Sequence, residues 1–150
     1  YLMQHAQAVC KEDDPNRPLT DTGVLQAQKV ACFLKEKQLN LHDIYHTNTI
    51  RSRHTAQVMK QVLDPLKGCH ETDGLMPLDD PTIWYNRIQD IQYPVLLIGH
   101  LPHLDKLLGL LLNQDSGKTL VHIDHCKPIS IMQSDEKKWV LDWVASSSFF

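Results

Sequence analysis

The sequence predicts a single α/β domain spanning residues 1–150, with three layers in which helices cover both faces of a mostly parallel central sheet. Three observations carry that expectation. Short apolar runs alternate along the chain with stretches whose apolar residues recur at helical spacing. Val95-Leu96-Leu97-Ile98, bounded by Pro94 and Gly99, is continuously apolar, as a strand covered on both faces must be. No internal repeat, heptad or Pro/Gly/Ser linker divides the chain.

Tyr1 to Met3 form the first expected strand and lead into Gln4-His5-Ala6. The polar segment from Lys11 to Pro18, with a second proline at Pro15, has to be loop. Thr20 is an N-cap residue type, and Val24, Ala27, Val30, Ala31 and Leu34 then share one helical face as far as the polar stretch at Lys37 and Gln38. Asp43 to His46 is a second short strand ending in Thr47-Asn48-Thr49. A second helix follows over Ile50 to Leu63 and is terminated by Pro65 and Gly68. Cys69 to Pro81 reads as turns, with Asp73-Gly74 and Asp79-Asp80-Pro81, ahead of an amphipathic helix carrying Ile83, Trp84, Ile88 and Ile91. The apolar strand ending at Ile98 leads to His100, and Leu104 to Leu112 is the next helix. Pro128 to Met132 and Trp139 to Val144 read as two closing strands joined by a turn at Ser134 to Lys137.

Composition narrows the function classes. An apolar fraction of 42% with 22% charged residues is enough to bury a core and argues against disorder. Lys plus Arg number 15 against 18 Asp plus Glu, a net charge of −3, so no broad basic face for nucleic acid is expected. The longest apolar stretch, Leu101 to Leu112, is interrupted by His103, Asp105 and Lys106, and no membrane span is expected. Cys10, Cys32, Cys69 and Cys126 form no C-x-x-C pair, and no charged segment followed by an apolar one opens the sequence. Reduced thiols in a cytoplasmic protein are therefore expected. Nine histidines remain as the compositional feature that calls for an explanation.

In open α/β sheets ligands bind beyond the carboxyl ends of the strands. Those ends are Gln4-His5-Ala6, His46 to Thr49 leading to Arg51, and Gly99-His100, so two histidines and an arginine converge on one sheet edge. A neutral imidazole attacks phosphorus to form a labile phosphoramidate, which splits one difficult displacement into two. Cationic donors lower the barrier by stabilising charge on the equatorial oxygens. His5, Arg51 and His100 offer a nucleophile, a bidentate clamp and a second hydrogen-bonding or cationic group, with no Gly-rich phosphate cradle in the chain.

Tyr-Leu-Met-Gln-His-Ala at residues 1–6 resembles the signature strand of the histidine phosphatase superfamily, whose usual form at the last three positions is Arg-His-Gly. Further landmarks agree in order: Arg17-Pro18-Leu19-Thr20 with Gly23, Thr49-Ile50-Arg51-Ser52-Arg53-His54-Thr55-Ala56, and Ile98-Gly99-His100-Leu101-Pro102. The short length, the Arg-Pro-Leu-Thr segment, Gly74-Leu75-x-Pro77 and Gly-His-x-Pro look most like the SixA-type phosphohistidine phosphatases. The resemblance implies a phosphoglycerate mutase-like fold and a phosphatase that needs neither cofactor nor metal. It implies that His5 accepts the phosphoryl group, that Arg51 binds phosphate, that His100 is the second catalytic histidine, and that Arg17 is an auxiliary phosphate ligand. Gln4 stands where the family carries arginine, which replaces a charged fork by a neutral amide. Ala6 stands where the family carries glycine. Glu71, Asp79 and Asp80 fall in the region where larger relatives carry a carboxylate proton donor.

The expected substrate is a phosphorylated protein such as a histidine-containing phosphotransfer domain. A small phosphoester, or a degenerate module that binds phosphate or phosphohistidine with little or no turnover, are the alternatives. Arg53 or Lys127 could supply the charge that Gln4 lacks. His122-Ile123-Asp124-His125-Cys126 has metal-compatible atoms but neither paired cysteines nor an H-E-x-x-H helix, so a structural or exposed role is expected for it. Trp84, Trp139 and Trp143 are expected to pack in the core.

Overall fold

In the computed structural model, which describes residues 1–145, β1 (Leu2–Gln4), β2 (Asp43–His46), β3 (Gly68–Glu71), β4 (Val95–Gly99), β5 (Ile129–Gln133) and β6 (Trp139–Val144) form one sheet. The last five residues of the expected 1–150 domain lie outside the described residues. The strand order is β3-β2-β4-β1-β5-β6. The first four strands run parallel, while β5 is antiparallel to β1 and β6 to β5. Helices α1 (Asp21–Glu36), α2 (Ile50–Leu63), α3 (Thr82–Asp90) and α4 (His103–Asn113) connect and cover it.

The period-2 alternation of the central strands divides the core into two layers. Leu96 and Ile98 of β4, with Met3 and Ile44, face a cluster containing Ala27, Val30, Ala31 and Leu34 of α1 and Ala56 and Met59 of α2. Val95 and Leu97, with Leu2 and Ile129, face Trp84 and Ile88 of α3 and Leu104, Leu107, Leu108 and Leu111 of α4. Among the described residues no helix is long and apolar enough to cross a membrane.

Helix starts follow the sequence closely. Thr20 Oγ1 accepts the Gly23 N–H at 2.9 Å, and Thr49 Oγ1 accepts the Ser52 N–H at 3.3 Å, each satisfying a donor that has no partner within its helix. Asp64, with φ 46°, closes α2 in the left-handed conformation just before Pro65.

The segment read as turns from Cys69 begins instead with a strand. Gly68-Cys69-His70-Glu71 pairs with β2 along its whole length, and His70 Nε2 lies 2.8 Å from the buried Asp43 carboxylate. These four residues show no apolar alternation, so the ladder with β2 makes them a strand and local propensity does not. Trp84 is buried as expected and donates Nε1–H to the Asp73 carbonyl at 3.0 Å, whereas Trp139 and Trp143 are half-buried. All four cysteines are free thiols. Cys126 is fully buried, which pushes its pKa up to about 12 and leaves it chemically inert.

The register sets the functional edge. Gln4 lies opposite Gly99, and His46 lies opposite Ile98, so β1, β2 and β4 end level and His5, Thr47 and His100 leave the sheet side by side. Gly23 secures the connection behind them. A Cβ there would sit 2.0 Å from the Gln7 carbonyl oxygen, so the start of α1 presses on the backbone two residues beyond His5 only because position 23 has no side chain.

Gly23→Ala tests that contact. The gain in helix propensity, about 1 kcal/mol, is outweighed by forcing two backbones apart, so a net destabilisation of about 1–3 kcal/mol is expected in urea unfolding. A stabilised Gly23→Ala protein would show that the approach is not tight.

Candidate active site

His5 follows β1, is 3% exposed, and directs Nδ1 at its neighbour's carbonyl, Ala6 O, at 2.8 Å. A carbonyl can only accept, so Nδ1 carries the proton and Nε2 keeps its lone pair. Arg51 Nε–H donates to that Nε2 at 3.1 Å. Burial is the main force pushing the His5 pKa down to about 3; the Ala6 bond opposes it, and His100, Arg51 and His125 add to the depression. His5 is therefore neutral across the physiological range.

His100 follows β4 and is equally buried, with its ring centroid 5.0 Å from that of His5. Arg51 Nη2 makes a long contact of 3.5 Å with Nδ1, and Nε2 lies 2.8 Å from Thr47 Oγ1. Since a guanidinium only donates, Nδ1 is the acceptor and Nε2–H donates to Thr47. Burial first, then the charges of Arg51, His103 and Arg17, bring the His100 pKa down to about 4, against a weaker upward pull from Asp79.

Buried hydroxyl groups fasten these residues to one another. Thr55 Oγ1 accepts the Ala6 N–H at 3.0 Å and donates to the Arg51 carbonyl at 2.7 Å. Ser52 Oγ accepts the Thr47 N–H at 3.2 Å and donates to the Ile98 carbonyl at 2.9 Å. The first turns of α2 are thus bonded to the ends of β1, β2 and β4 together. Sequence reasoning missed Thr47, Ser52 and Thr55; their signal was only that hydroxyl residues lie within four positions of Arg51.

Arg17 occupies the left-handed region with φ 51° and donates Nε–H to the Val9 carbonyl at 3.1 Å. Its charge is felt at Arg51, His100 and His125, which places it on the same side of the sheet edge. Gln4 is half-buried, and its side chain makes no hydrogen bond to the described residues. Ala6 is fully buried with a negative φ, so its methyl group is accommodated without strain.

The residues expected to replace the missing charge do not reach His5. Arg53 pairs with Glu71 at 2.9 Å, and Lys127 pairs with Asp124 at 2.5 Å. The segment 122–126 divides between roles. His122 is exposed and pairs with Asp124, and Cys126 packs beneath β1, whereas His125 lies against His5 with ring centroids 5.3 Å apart. A structural or exposed role is thus too narrow for His125, which lies 120 residues from His5 in the sequence. Among the described residues no group of three or more His, Cys, Asp or Glu side chains is arranged to hold a metal ion.

Such an arrangement can present an imidazole lone pair to an electrophile inside a ring of cationic and hydrogen-bonding groups, which suits a tetrahedral oxyanion. Residues 1–79 match the model of the histidine phosphatase superfamily (branch 1). Solved structures share the fold. The protein histidine phosphatase SixA complexed with tungstate superposes with a TM-score of 0.85 at 21% identity, covering 97% of this chain and 94% of that one. The α-ribazole phosphatase of Shigella flexneri gives 0.78 at 16%, covering 97% and 95%, and the phosphoglycerate mutase of Bacillus anthracis gives 0.74 at 13%, covering 99% and 93%. At these identities the likeness is one of fold. No curated protein matches the sequence.

The depressed histidines make stability depend on pH. Between about pH 6.5, where they titrate in the unfolded chain, and their folded values of about 3 and 4, the unfolded state binds more protons. Stability is therefore complete above pH 6.5 and falls as the pH drops below it, by up to about 1.4 kcal/mol per pH unit for each histidine. Urea midpoints measured from pH 7 to pH 4 should fall, and should fall less steeply in His5→Asn and His100→Asn; equal slopes in all three proteins would place the pH sensitivity elsewhere.

Proposed function

The chain belongs to the histidine phosphatase superfamily, and from that premise we propose that it is a phosphohistidine phosphatase acting in the cytoplasm on a phosphorylated phosphotransfer protein, through a phospho-His5 intermediate. The observation that carries the reading is the state of His5: Nδ1–H is committed to Ala6, and Nε2 is left with a lone pair beside the Arg51 guanidinium. The Nε2–P bond forms as the P–N bond of the substrate breaks, and the bond's electron pair leaves with the substrate imidazole. Once its other ring nitrogen carries a proton, that group departs as neutral imidazole. Water then attacks phosphorus, inorganic phosphate leaves, and the Nε2 lone pair is restored. Arg51 and Arg17 donate to the phosphoryl oxygens through both steps, and His100 joins them from Nδ1 once the charge of the anion has brought a proton to that nitrogen.

The carboxyl groups near the site favour this substrate over a phosphoester, whose alkoxide needs an acid. Glu71 is paired with Arg53. Asp80 is held below the usual carboxylate range by hydrogen bonds from the Thr82 backbone and side chain, and Asp79 Oδ2 accepts the Met76 N–H at 2.9 Å. The hydrogen bonds to Asp80 favour its charged form, which has no proton to give, while Arg53 and the Met76 backbone engage the other two carboxylates. The free thiols suit a reducing compartment.

Gln4 favours a second reading, a module that binds phosphohistidine without turning it over, because one charge-assisted donor is missing beside the nucleophile.

The test is release of phosphate from a phosphorylated histidine-containing phosphotransfer domain, with p-nitrophenyl phosphate and sugar phosphates as comparison substrates. Turnover should be lost in His5→Ala; equal turnover by both proteins overturns the mechanism, and preference for the esters overturns the substrate. Gln4→Arg should raise turnover by about one to two decades, the rate equivalent of about 1.5–3 kcal/mol for a hydrogen bond to a charged group. No turnover in either form, with phosphate still bound, establishes the binding module.

A further inference from the structure

His125 lies against the His5 ring, and the proposed mechanism leaves it without a task. It approaches from the side opposite β4. The His5 ring has His100 at 5.0 Å on one flank and His125 at 5.3 Å on the other. Arg51 makes a long contact with His100, and Gln4, the residue before His5, brings a neutral amide.

The backbone around His125 is built as a mount. Residues 4 and 125 form a parallel bridge, the Cys126 N–H donates to the Gln4 carbonyl at 3.0 Å, and Gln26 Nε2 donates to the His125 carbonyl at 3.2 Å. Cys126 adopts a left-handed φ of 55° that a residue with a side chain rarely takes, and its burial beneath β1 holds it there. A chain anchored at both peptide groups fixes where the ring stands. The ring itself is half-buried and has no hydrogen-bond partner among the described residues.

We propose that His125 is a phosphate-binding residue of this pocket, its ring N–H reaching the phosphoryl oxygens on the flank of His5 away from His100, in a chain where Gln4 contributes no charge beside the nucleophile. The inference rests on the reading that the pocket receives a phosphoryl group. Four groups then surround a phosphoryl group attached to His5: Arg51, His100, Arg17 and His125.

The charged and titratable groups facing His125 are His5 just after β1, Arg17 from the loop before α1, and Asp124 and Lys127 from its own segment, the last two paired with each other. Without an anion, burial holds the His125 pKa below the imidazole range, with Arg17 acting in the same sense and Asp124 against it. A dianion reverses the balance, so anion binding takes up a proton and strengthens as the pH falls.

Sulfate is a suitable probe because it remains a tetrahedral dianion from pH 5.5 to pH 8. Its affinity is measured by NMR titration of the whole chain at both pH values. Wild type should bind more tightly at pH 5.5. His125→Gln should lose about tenfold there and much less at pH 8, while His125→Arg should restore tight binding at pH 8, because its charge is permanent. In a Gln4→Arg background the loss from His125→Gln should shrink to below about threefold, since the new guanidinium adds a permanent charge for the same anion. If His125→Gln binds like wild type at both pH values while Arg51→Gln loses sulfate, the inference is overturned and the pocket stands. If wild type binds no sulfate at either pH, the phosphoryl pocket and the inference fall together.

Discussion

The hydrogen bond from His5 Nδ1–H to the Ala6 carbonyl is the constraint on which the site depends. It spans a single residue, yet it selects the tautomer, aims Nε2 away from the main chain and leaves the lone pair as the only reactive feature of the ring. The rest of the architecture keeps Ala6 where that bond can form. The Ala6 N–H is taken by Thr55 of α2, the Gln7 carbonyl is met by the Thr20 N–H and by the close approach of Gly23, and the His5 N–H donates to the Gly99 carbonyl at 3.2 Å. Two helices and a neighbouring strand therefore converge on three consecutive residues.

The electrostatics follow from the same convergence. His5, Arg51, His100, Arg17 and His125 crowd one edge of a protein whose net charge is −3. Burial and mutual repulsion keep the imidazoles neutral, and the Arg51 pKa is lowered by burial and by Arg17. Such a pocket is less favourable for a folded chain than an apolar one would be, and an anion is what relieves it. Arg17 and the neighbour of His125, Cys126, both adopt left-handed conformations that the surrounding structure holds.

How much of this was legible in the sequence varied with the range of the interaction. The helix caps at Thr20 and Thr49 and the apolar strand ending at Ile98 are local, and residues within one turn of each other decide them. His5, Arg51 and His100 were legible because each sits at a strand end or just past one, where the topology of parallel sheets brings residues together. Strand β3 was not legible, since Gly68 to Glu71 take their conformation from β2. Nor was His125, because a bridge between residues 4 and 125 leaves no trace in the pattern around either.

The sequence by itself determined the layered α/β architecture, the family and the residues at the strand ends, because apolar periodicity and capping act over a few residues and the motifs lie in chain order. Only the tertiary structure decided the protonation pattern of His5 and His100, the engagement of Arg53 and Lys127 elsewhere, and the presence of a third histidine beside the first. Those depend on burial and on hydrogen bonds between segments far apart in the chain, and a pKa or a tautomer is a property of the surroundings that folding creates.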